Sequence, residues 1–342
     1  MDNRTQTQDR DLLEAATIAA RQFGLRIDVL QLEPQLGAAR ADALIRIRHD
    51  DQEILYAAEV KRGLRPSTLG AVLHQLEHLH LGQTALLVTD YVTPPLADAL
   101  KERGIAFLDA AGNAYLDHPP LLVWVKGQRP KETPVTANLT TRTFNPGGLK
   151  VLFPLLCRPE WANRPYREIA QLAGVAHGTV GWVLAELPKL GFMAEVAGKR
   201  RLLQPERLLQ QWVEAYARTL RPRLLLGRFH TDLLDWYRTL DPKYGCLLGG
   251  EPAAARLTQH LRPGTVTLYG QKVEPRLLLD QRLRRDPQGE VEILTRFWKF
   301  DNEDPLITPL PLVYADLLAI GDARCLETAK LLYADIVARF GR

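Results

Sequence analysis

Tyr166-Arg167-Glu168-Ile169-Ala170-Gln171-Leu172-Ala173-Gly174-Val175-Ala176-His177-Gly178-Thr179-Val180 reads as two helices around a tight turn. Ile169, Ala170, Leu172 and Ala173 give a short apolar face, and Gly174 supplies the turn. A second helix continues through Val180, Val183, Leu184 and Leu187 and stops at Gly191. Residues 192–196 then read as a strand, Gly198-Lys199-Arg200-Arg201 as a basic tip, and 202–204 as the return strand. A helix pair followed by a small basic hairpin is the winged form of the helix-turn-helix. Its second helix enters a major groove, and its hairpin lies on neighbouring phosphates. The expected partner is therefore double-stranded DNA. Ala176, His177 and Thr179, at the start of the second helix, are the candidate base readers. Tyr166, Arg167, Lys199, Arg200 and Arg201 are the candidate backbone contacts.

The charge distribution agrees with this reading. The chain of 342 residues carries a formal net charge of +4. Residues 144–222 hold +5 of it, whereas 1–143 carry −2 and 223–342 carry +1. A basic surface is the electrostatic footprint of phosphate binding. The length predicts two or three domains. No apolar run approaches the ~20 residues of a membrane span, and the start, Met1-Asp2-Asn3-Arg4, lacks a secretory h-region. The three cysteines, Cys157, Cys246 and Cys325, are too scattered for a disulfide framework or a CxxC metal site. A reducing cytoplasm is the expected setting, with no membrane partner.

Ahead of the helix pair, residues 1–130 alternate helices with strands, the pattern of a mixed α/β sheet. Helices are expected at 11–23, 67–81 and 94–103. Strands are expected at 26–30, 43–48, 54–60, 85–89, 106–108, 114–116 and 121–125, with Asp50-Asp51 as a turn. Asp42 opens one strand and Glu59-Val60-Lys61 closes the next, so alternation puts Glu59 and Lys61 on one face. This helix–Asp–Glu-x-Lys order resembles the PD-(D/E)xK nuclease superfamily, although Ala41 stands where that pattern has Pro. The resemblance implies that Asp42 and Glu59 hold Mg²⁺ and that Lys61 activates water or steadies the scissile phosphate. It also implies that Glu14 is an accessory ligand and that Gln75 is a polar site residue. The alternative is plainer: Asp42 is a turn residue, and Glu59 with Lys61 is a strand-end ion pair.

Residues 131–147, rich in Pro, Gly and Asn, read as a linker, and 148–218 as the winged-helix domain. Residues 219–342 read as a C-terminal α/β domain, with helices at 229–239, 252–260 and 311–340 and strands at 246–248, 265–269 and 291–294. Asp316 falls in an apolar helical stretch, where an unpaired carboxylate is costly. Arg324 or a backbone amide is its expected partner.

Gly104-Ile105-Ala106-Phe107-Leu108-Asp109-Ala110-Ala111-Gly112-Asn113-Ala114-Tyr115 and the segment Val313-Tyr314-Ala315-Asp316-Leu317-Leu318-Ala319-Ile320-Gly321-Asp322-Ala323-Arg324 flank the helix pair. Together they resemble the abortive-infection type IV toxin–antitoxin antitoxin family (AbiEi-like transcriptional regulators). That resemblance implies a DNA-binding repressor of its own operon, paired with a nucleotidyltransferase-like toxin encoded nearby. The better-known antitoxins of this type begin with the winged helix, whereas here an α/β domain precedes it. The third part also lacks a GS…DxD nucleotidyltransferase signature.

The expected fold class is thus multi-domain α/β: a restriction-endonuclease-like mixed sheet, a winged helix-turn-helix and a C-terminal α/β domain. The leading functional expectation is a sequence-specific transcriptional regulator that needs no cofactor to bind DNA and has a two-fold homodimer as its simplest assembly. The alternatives are a Mg²⁺-dependent nuclease targeted by its winged helix, and a protein-interaction adaptor.

Overall fold

The computed structural model describes residues 3–36, 39–49, 52–79, 84–119, 121–130 and 142–340. The chain forms two compact units, Met1–Asn138 and Leu139–Arg342. The Asp50-Asp51 turn and most of the expected linker (131–141) lie outside the described residues.

In the first unit, helix α1 (Asn3–Ala20) buries Leu12, Leu13, Ala16 and Ala20 at helical spacing. A single 3₁₀ turn follows, and Gly24, at φ +74°, ends it in the left-handed region. Then come β1 (Arg26–Leu32), the short pair β2 (Gln35–Leu36) and β3 (Ala39–Arg40), β4 (Ala43–His49) and β5 (Gln52–Lys61). Helix α2 (Pro66–Leu79), β6 (Thr84–Thr89), α3 (Pro94–Glu102), β7 (Ala106–Asp109), β8 (Ala114–His118) and β9 (Leu121–Val125) complete it. The main sheet is mixed, in the order β1-β4-β5-β6-β7-β8-β9, with β5, β6 and β7 parallel and the outer pairs antiparallel. Alternation decides what each face carries. Ala43, Ile45, Tyr56, Ala58, Val60, Leu86 and Val88 join the apolar cluster under α1. Ala57, Glu59 and Lys61 belong to the opposite face, where α2 packs on β5 and β6.

The Gly104–Tyr115 phrase earns its residues through one buried carboxylate. Asp109 accepts from the backbone N–H of Val92 and of Asn113, each at 2.7 Å, and from Asn113 Nδ2 at 2.7 Å. Asn113 in turn exchanges hydrogen bonds with the backbone of Gln128. Burial pushes the Asp109 carboxyl above its usual range, against these donors. The network ties three loops at one end of the sheet.

The second unit opens with a 3₁₀ turn, Arg142–Phe144, and helix α4 (Pro146–Cys157). This helix begins inside the stretch read as linker, because Asn145 caps the Gly148 N–H at 2.9 Å and Pro146 takes the first turn. A 3₁₀ turn, Pro159–Asn163, leads to α5 (Tyr166–Ala173), α6 (His177–Glu186) and the hairpin β10 (Met193–Val196) and β11 (Lys199–Leu202). Helix α7 (Pro205–Ala215) passes through a π segment, Tyr216–Leu220, into α8 (Arg221–Leu224). Next are β12 (Leu225–His230), β13 (Leu247–Gly249), α9 (Gly250–Thr258), β14 (Val266–Gly270), α10 (Pro275–Asp280), β15 (Arg284–Arg285) and β16 (Val291–Thr295). Helices α11 (Leu310–Ile320) and α12 (Ala323–Phe340) close the chain and pack with α9. The five-stranded sheet runs β13-β14-β16-β12-β15, with only β14 and β16 parallel.

The helix expected at 229–239 is replaced by β12 and a 3₁₀ turn at Trp236–Thr239. The apolar spacing there is helical, but β12 gains ladder bonds from both β15 and β16, which local spacing does not reveal. Similarly, the single helical stretch expected at 311–340 is two helices, broken at Gly321, φ +72°.

No seam separates the helix-turn-helix region from the C-terminal sheet. Phe153 of α4 stacks on Trp212 at 5.4 Å between ring centroids. It also touches Phe297, Trp298 and Phe300 at 5.0, 5.5 and 5.8 Å. Trp161 meets Phe300 edge-on at 5.2 Å, and Trp212 Nε1 donates to Leu149 O at 2.9 Å. Each such aromatic pair adds ~0.5–1.5 kcal/mol beyond its burial. The 297–300 segment also docks on the turn between α5 and α6, where Lys299 N–H donates to Leu172 O at 2.9 Å. Gly174 has φ +63°, and a Cβ there would lie 2.8 Å from Phe297 O. Gly174→Ala combines a left-handed penalty of ~1–2 kcal/mol with a backbone clash. Its urea midpoint is expected to fall by at least the equivalent of that penalty; an unchanged midpoint would contradict the close approach.

Candidate nucleic-acid interface

The α5–α6 turn is closed by Gly174, whose N–H returns to Gln171 O, while Val175 N–H bonds Ala170 O. Ile169, Ala170 and Ala173 of α5 and Val180, Val183, Leu184 and Leu187 of α6 are buried, as their spacing predicts. Ala176 is the N-cap of α6 in extended conformation, and no side chain caps the helix. Ala176, His177 and Gly178 are exposed, so the first turn of α6 offers its N–H groups and the positive end of its dipole to solvent. A helix start of this kind suits a phosphate. Thr179 is half-buried, its methyl 3.5 Å from where a Cβ on Gly147 would sit. Glu186 at the far end of α6 accepts from Thr143 N–H at 2.9 Å and from its hydroxyl, fixing the helix against the entering chain.

The hairpin is tighter than expected. Its two-residue turn is Ala197-Gly198, at φ +51° and +73°, so Lys199, Arg200 and Arg201 stand on the return strand rather than at the tip. Lys199 and Arg201 are exposed. Arg200 is held in place. Its backbone N–H donates to Asn163 Oδ1 at 2.7 Å and its carbonyl accepts from Asn163 Nδ2 at 2.9 Å, so a side-chain amide extends the strand ladder. The Arg200 guanidinium donates to Arg164 O at 3.1 Å and lies 5.0 Å over the Tyr166 ring. Tyr166 in turn sits 6.2 Å from the His177 ring. Hairpin, α5 start and α6 start thus meet in one run of contacts, in which Arg200 is half-buried and Tyr166 and His177 are exposed. Arg167 is exposed beside it. Sequence reading missed Asn163 and Arg164. The signal for Arg164 was present in the basic count, but Asn163 announces itself only through the ladder it completes.

In the first unit, Ala43 pairs with Ala58, so Asp42 comes opposite Glu59 on the face that also carries Lys61. Asp42 Oδ2 accepts from Val60 N–H at 2.8 Å, and Lys61 Nζ pairs with Glu59 at 2.8 Å. The strand-end ion pair of the plainer reading is therefore present, and the superfamily-like trio is together as well. Gln75 is buried on α2. Glu14 is exposed on α1, the helix that covers the other face, so it does not join them. Two carboxylates and a lysine fit a Mg²⁺ shared with a phosphate, because this cation is often held through one or two carboxylates. Among the described residues no group of three or more His, Cys, Asp or Glu is arranged to hold a metal by itself.

The third cluster is buried. Asp316 of α11 accepts from Tyr216 and Tyr269 hydroxyls at 2.9 Å and from Arg221 Nε at 3.0 Å. The two hydroxyls are 2.6 Å apart. Arg221 also donates to Glu292 at 2.6 Å, and Arg228 bonds the other Glu292 oxygen. Arg324, the partner expected for Asp316, instead holds Asp322 at 2.8 Å and approaches buried Glu251 at 3.6 Å. The real partners stand 47 to 100 residues away in sequence, beyond the reach of local reading. Gly249 is required here, since a Cβ would lie 2.6 Å from the Tyr269 ring and 3.2 Å from Asp316 Oδ2.

Comparison with known proteins places part of this chain. Residues 201–338 match the family described as transcriptional regulator, AbiEi antitoxin, type IV TA system. The resemblance to that antitoxin family is therefore shown over this span, which runs from the return strand of the hairpin through α12 and includes the Val313–Arg324 segment. The Gly104–Tyr115 phrase and the α5–α6 pair lie upstream of it. No curated protein matches the chain. Among the described residues no helix is long and apolar enough to cross a membrane.

Proposed function

We propose that this protein is a sequence-specific DNA-binding transcriptional regulator, an antitoxin-type repressor of a toxin–antitoxin operon. Residues 148–218 act as its winged helix-turn-helix. Helix α6 enters a major groove with Ala176 and His177 leading, and Thr179 contributes from its half-buried position. Lys199 and Arg201 reach phosphates, and Arg200 with Tyr166 and Arg167 supports the backbone contact. The carrying observation is the run of contacts from half-buried Arg200 through exposed Tyr166 to exposed His177 beside the uncapped start of α6. The family match that begins at residue 201 supports the regulatory role. A nucleotidyltransferase-like toxin encoded nearby is the protein partner this reading implies. A two-fold dimer would read half-sites about one helical turn apart.

A second reading rests on the first unit, where Asp42 and Glu59 share a face with Lys61. In it the domain descends from PD-(D/E)xK nucleases, and Mg²⁺ held by Asp42 and Glu59 would supply Lewis-acid activation of a phosphodiester. One experiment addresses both readings: selection of fragments bound from genomic DNA, run with and without Mg²⁺. Enrichment of a promoter-proximal inverted repeat, left uncut, is the expected result. Fragments cut by the native chain with Mg²⁺ but intact with Asp42→Ala would favour the nuclease. Retention of all sequences alike would overturn sequence-specific regulation.

A further inference from the structure

Of the six tryptophans in the chain, Trp182 of α6 alone makes no hydrogen bond, ring contact or cation contact among the described residues. Trp212 and Trp298 donate their indole N–H to Leu149 O and Asn302 Oδ1. Trp124, Trp161 and Trp236 pack edge-on against Tyr115, Phe300 and Tyr237. Trp182 is half-buried, so part of a large apolar ring remains open to solvent.

Its place on the helix is specific. Val180, Val183, Leu184 and Leu187 define the buried face of α6. At 3.6 residues per turn the opposite arc carries Gly178, Gly181, Trp182 and Ala185. Gly178 and Ala185 are exposed, and Gly181 is half-buried. A Cβ on either glycine would meet nothing within 4 Å, and neither has a positive φ. Glycine inside a helix costs stability relative to alanine, and no described neighbour requires it here. Bare backbone beside an unengaged indole lets a partner's surface come up against the helix itself.

The chemistry of the arc narrows the partner. It holds no Arg, Lys, Asn or Gln, the side chains that read guanine and adenine by paired hydrogen bonds. What an apolar side chain reads in the major groove is the thymine methyl group. Glu186, the one acid of α6, is committed to Thr143. On the adjoining elements Arg167, Lys189, Lys199 and Arg201 are exposed and form no ion pair among the described residues. Free cations beside an apolar arc suit a polyanion whose apolar groups are recessed between its charges. We propose that Trp182 is an apolar base reader, its indole lying on thymine methyl groups where the α6 backbone comes close at Gly178 and Gly181. This assignment rests on the DNA-binding reading above.

The test is affinity for the selected fragment and for the same fragment with uracil in place of every thymine, which removes only the methyl groups. The native chain is expected to lose about fourfold in affinity for each methyl it covers. Trp182→Ala is expected to bind the thymine fragment roughly tenfold more weakly and to bind both fragments alike. Trp182→Phe, which keeps an apolar ring, should retain part of the thymine preference. Gly178→Ala/Gly181→Ala should raise the urea midpoint and yet weaken DNA binding, a pair of opposite changes that a purely structural role does not produce. Lys199→Ala/Arg201→Ala serves as the control: it should bind both fragments more weakly and keep the thymine preference. Equal affinity of the native chain for the two fragments overturns the role of Trp182 while leaving DNA binding intact, and this comparison needs no variant to fold. Trp182→Ala that changes sedimentation of the DNA-free chain but not its DNA affinity would give the arc to a second copy and also overturn it. A native chain that retains neither fragment removes the DNA-binding reading and Trp182 with it.

Discussion

Asp316→Ala is expected to lower the unfolding free energy by about 3–5 kcal/mol, the usual cost of removing one partner from a buried charge network. The carboxylate is fully buried and receives two tyrosine hydroxyls and one guanidinium. Without it Arg221 keeps only Glu292, and the two hydroxyls are left with only each other. A domain's whole stability is about 5–15 kcal/mol, so this single change should bring the second unit close to unfolding at 37 °C. Urea denaturation checks it, and a loss below 1 kcal/mol would mean that the network is dispensable. The same cluster predicts a pH dependence. Burial and the Asp316 charge push the Tyr216 and Tyr269 hydroxyls well above their ordinary value. A raised pKa in the fold contributes stability that is complete below the unfolded value, about 10, and is lost as pH climbs beyond it. The melting temperature should therefore drop steeply above pH ~10, and the drop should soften in Tyr216→Phe.

Lys199→Ala/Arg201→Ala is expected to weaken binding to every DNA fragment and to flatten the salt dependence. Each phosphate contact contributes a slope of about −0.9 in log affinity against log salt. Losing two should reduce the magnitude by ~1.8. Both side chains are exposed and make no hydrogen bond or ion pair among the described residues, so the fold should not change. Arg200→Ala is the instructive contrast. Its guanidinium is committed to Arg164 O and Tyr166, so its removal should also loosen the hairpin. His177→Ala should act differently again, costing ~1–3 kcal/mol on the selected fragment and little on others, as a lost base contact does. Equal losses on all sequences for His177→Ala would place it on the phosphates instead. An unchanged salt slope in the double variant would remove the hairpin from the interface.

What the sequence made legible follows from how local each determinant is. The α5–α6 pair could be read because Gly174, Gly191 and the spacing of Ile169, Val180 and Val183 lie within one short window. The parallel strands of the first unit were legible for the same reason, being short apolar runs between turn residues. Strand β12 was not, because its stability comes from β15 and β16, each more than fifty residues away. The partners of Asp316 were hidden for the same reason. At the hairpin the composition was right and the geometry was not. Ala197 at φ +51° moved the turn one residue earlier than glycine preference suggests.

The aromatic nest around Phe153 carries a consequence for how such a protein changes over time. Phe153, Trp161 and Trp212 come from the helix-turn-helix side, and Phe297, Trp298 and Phe300 from the sheet side. A recombination break between them would leave both fragments with bare aromatic surface, an aggregation hazard rather than a working part. On the proposed DNA-binding reading, new target preferences would therefore arise by substitution on the outer surface of α6, in place. The α5–α6 pair cannot be exchanged like a cassette; it is inherited with the body behind it.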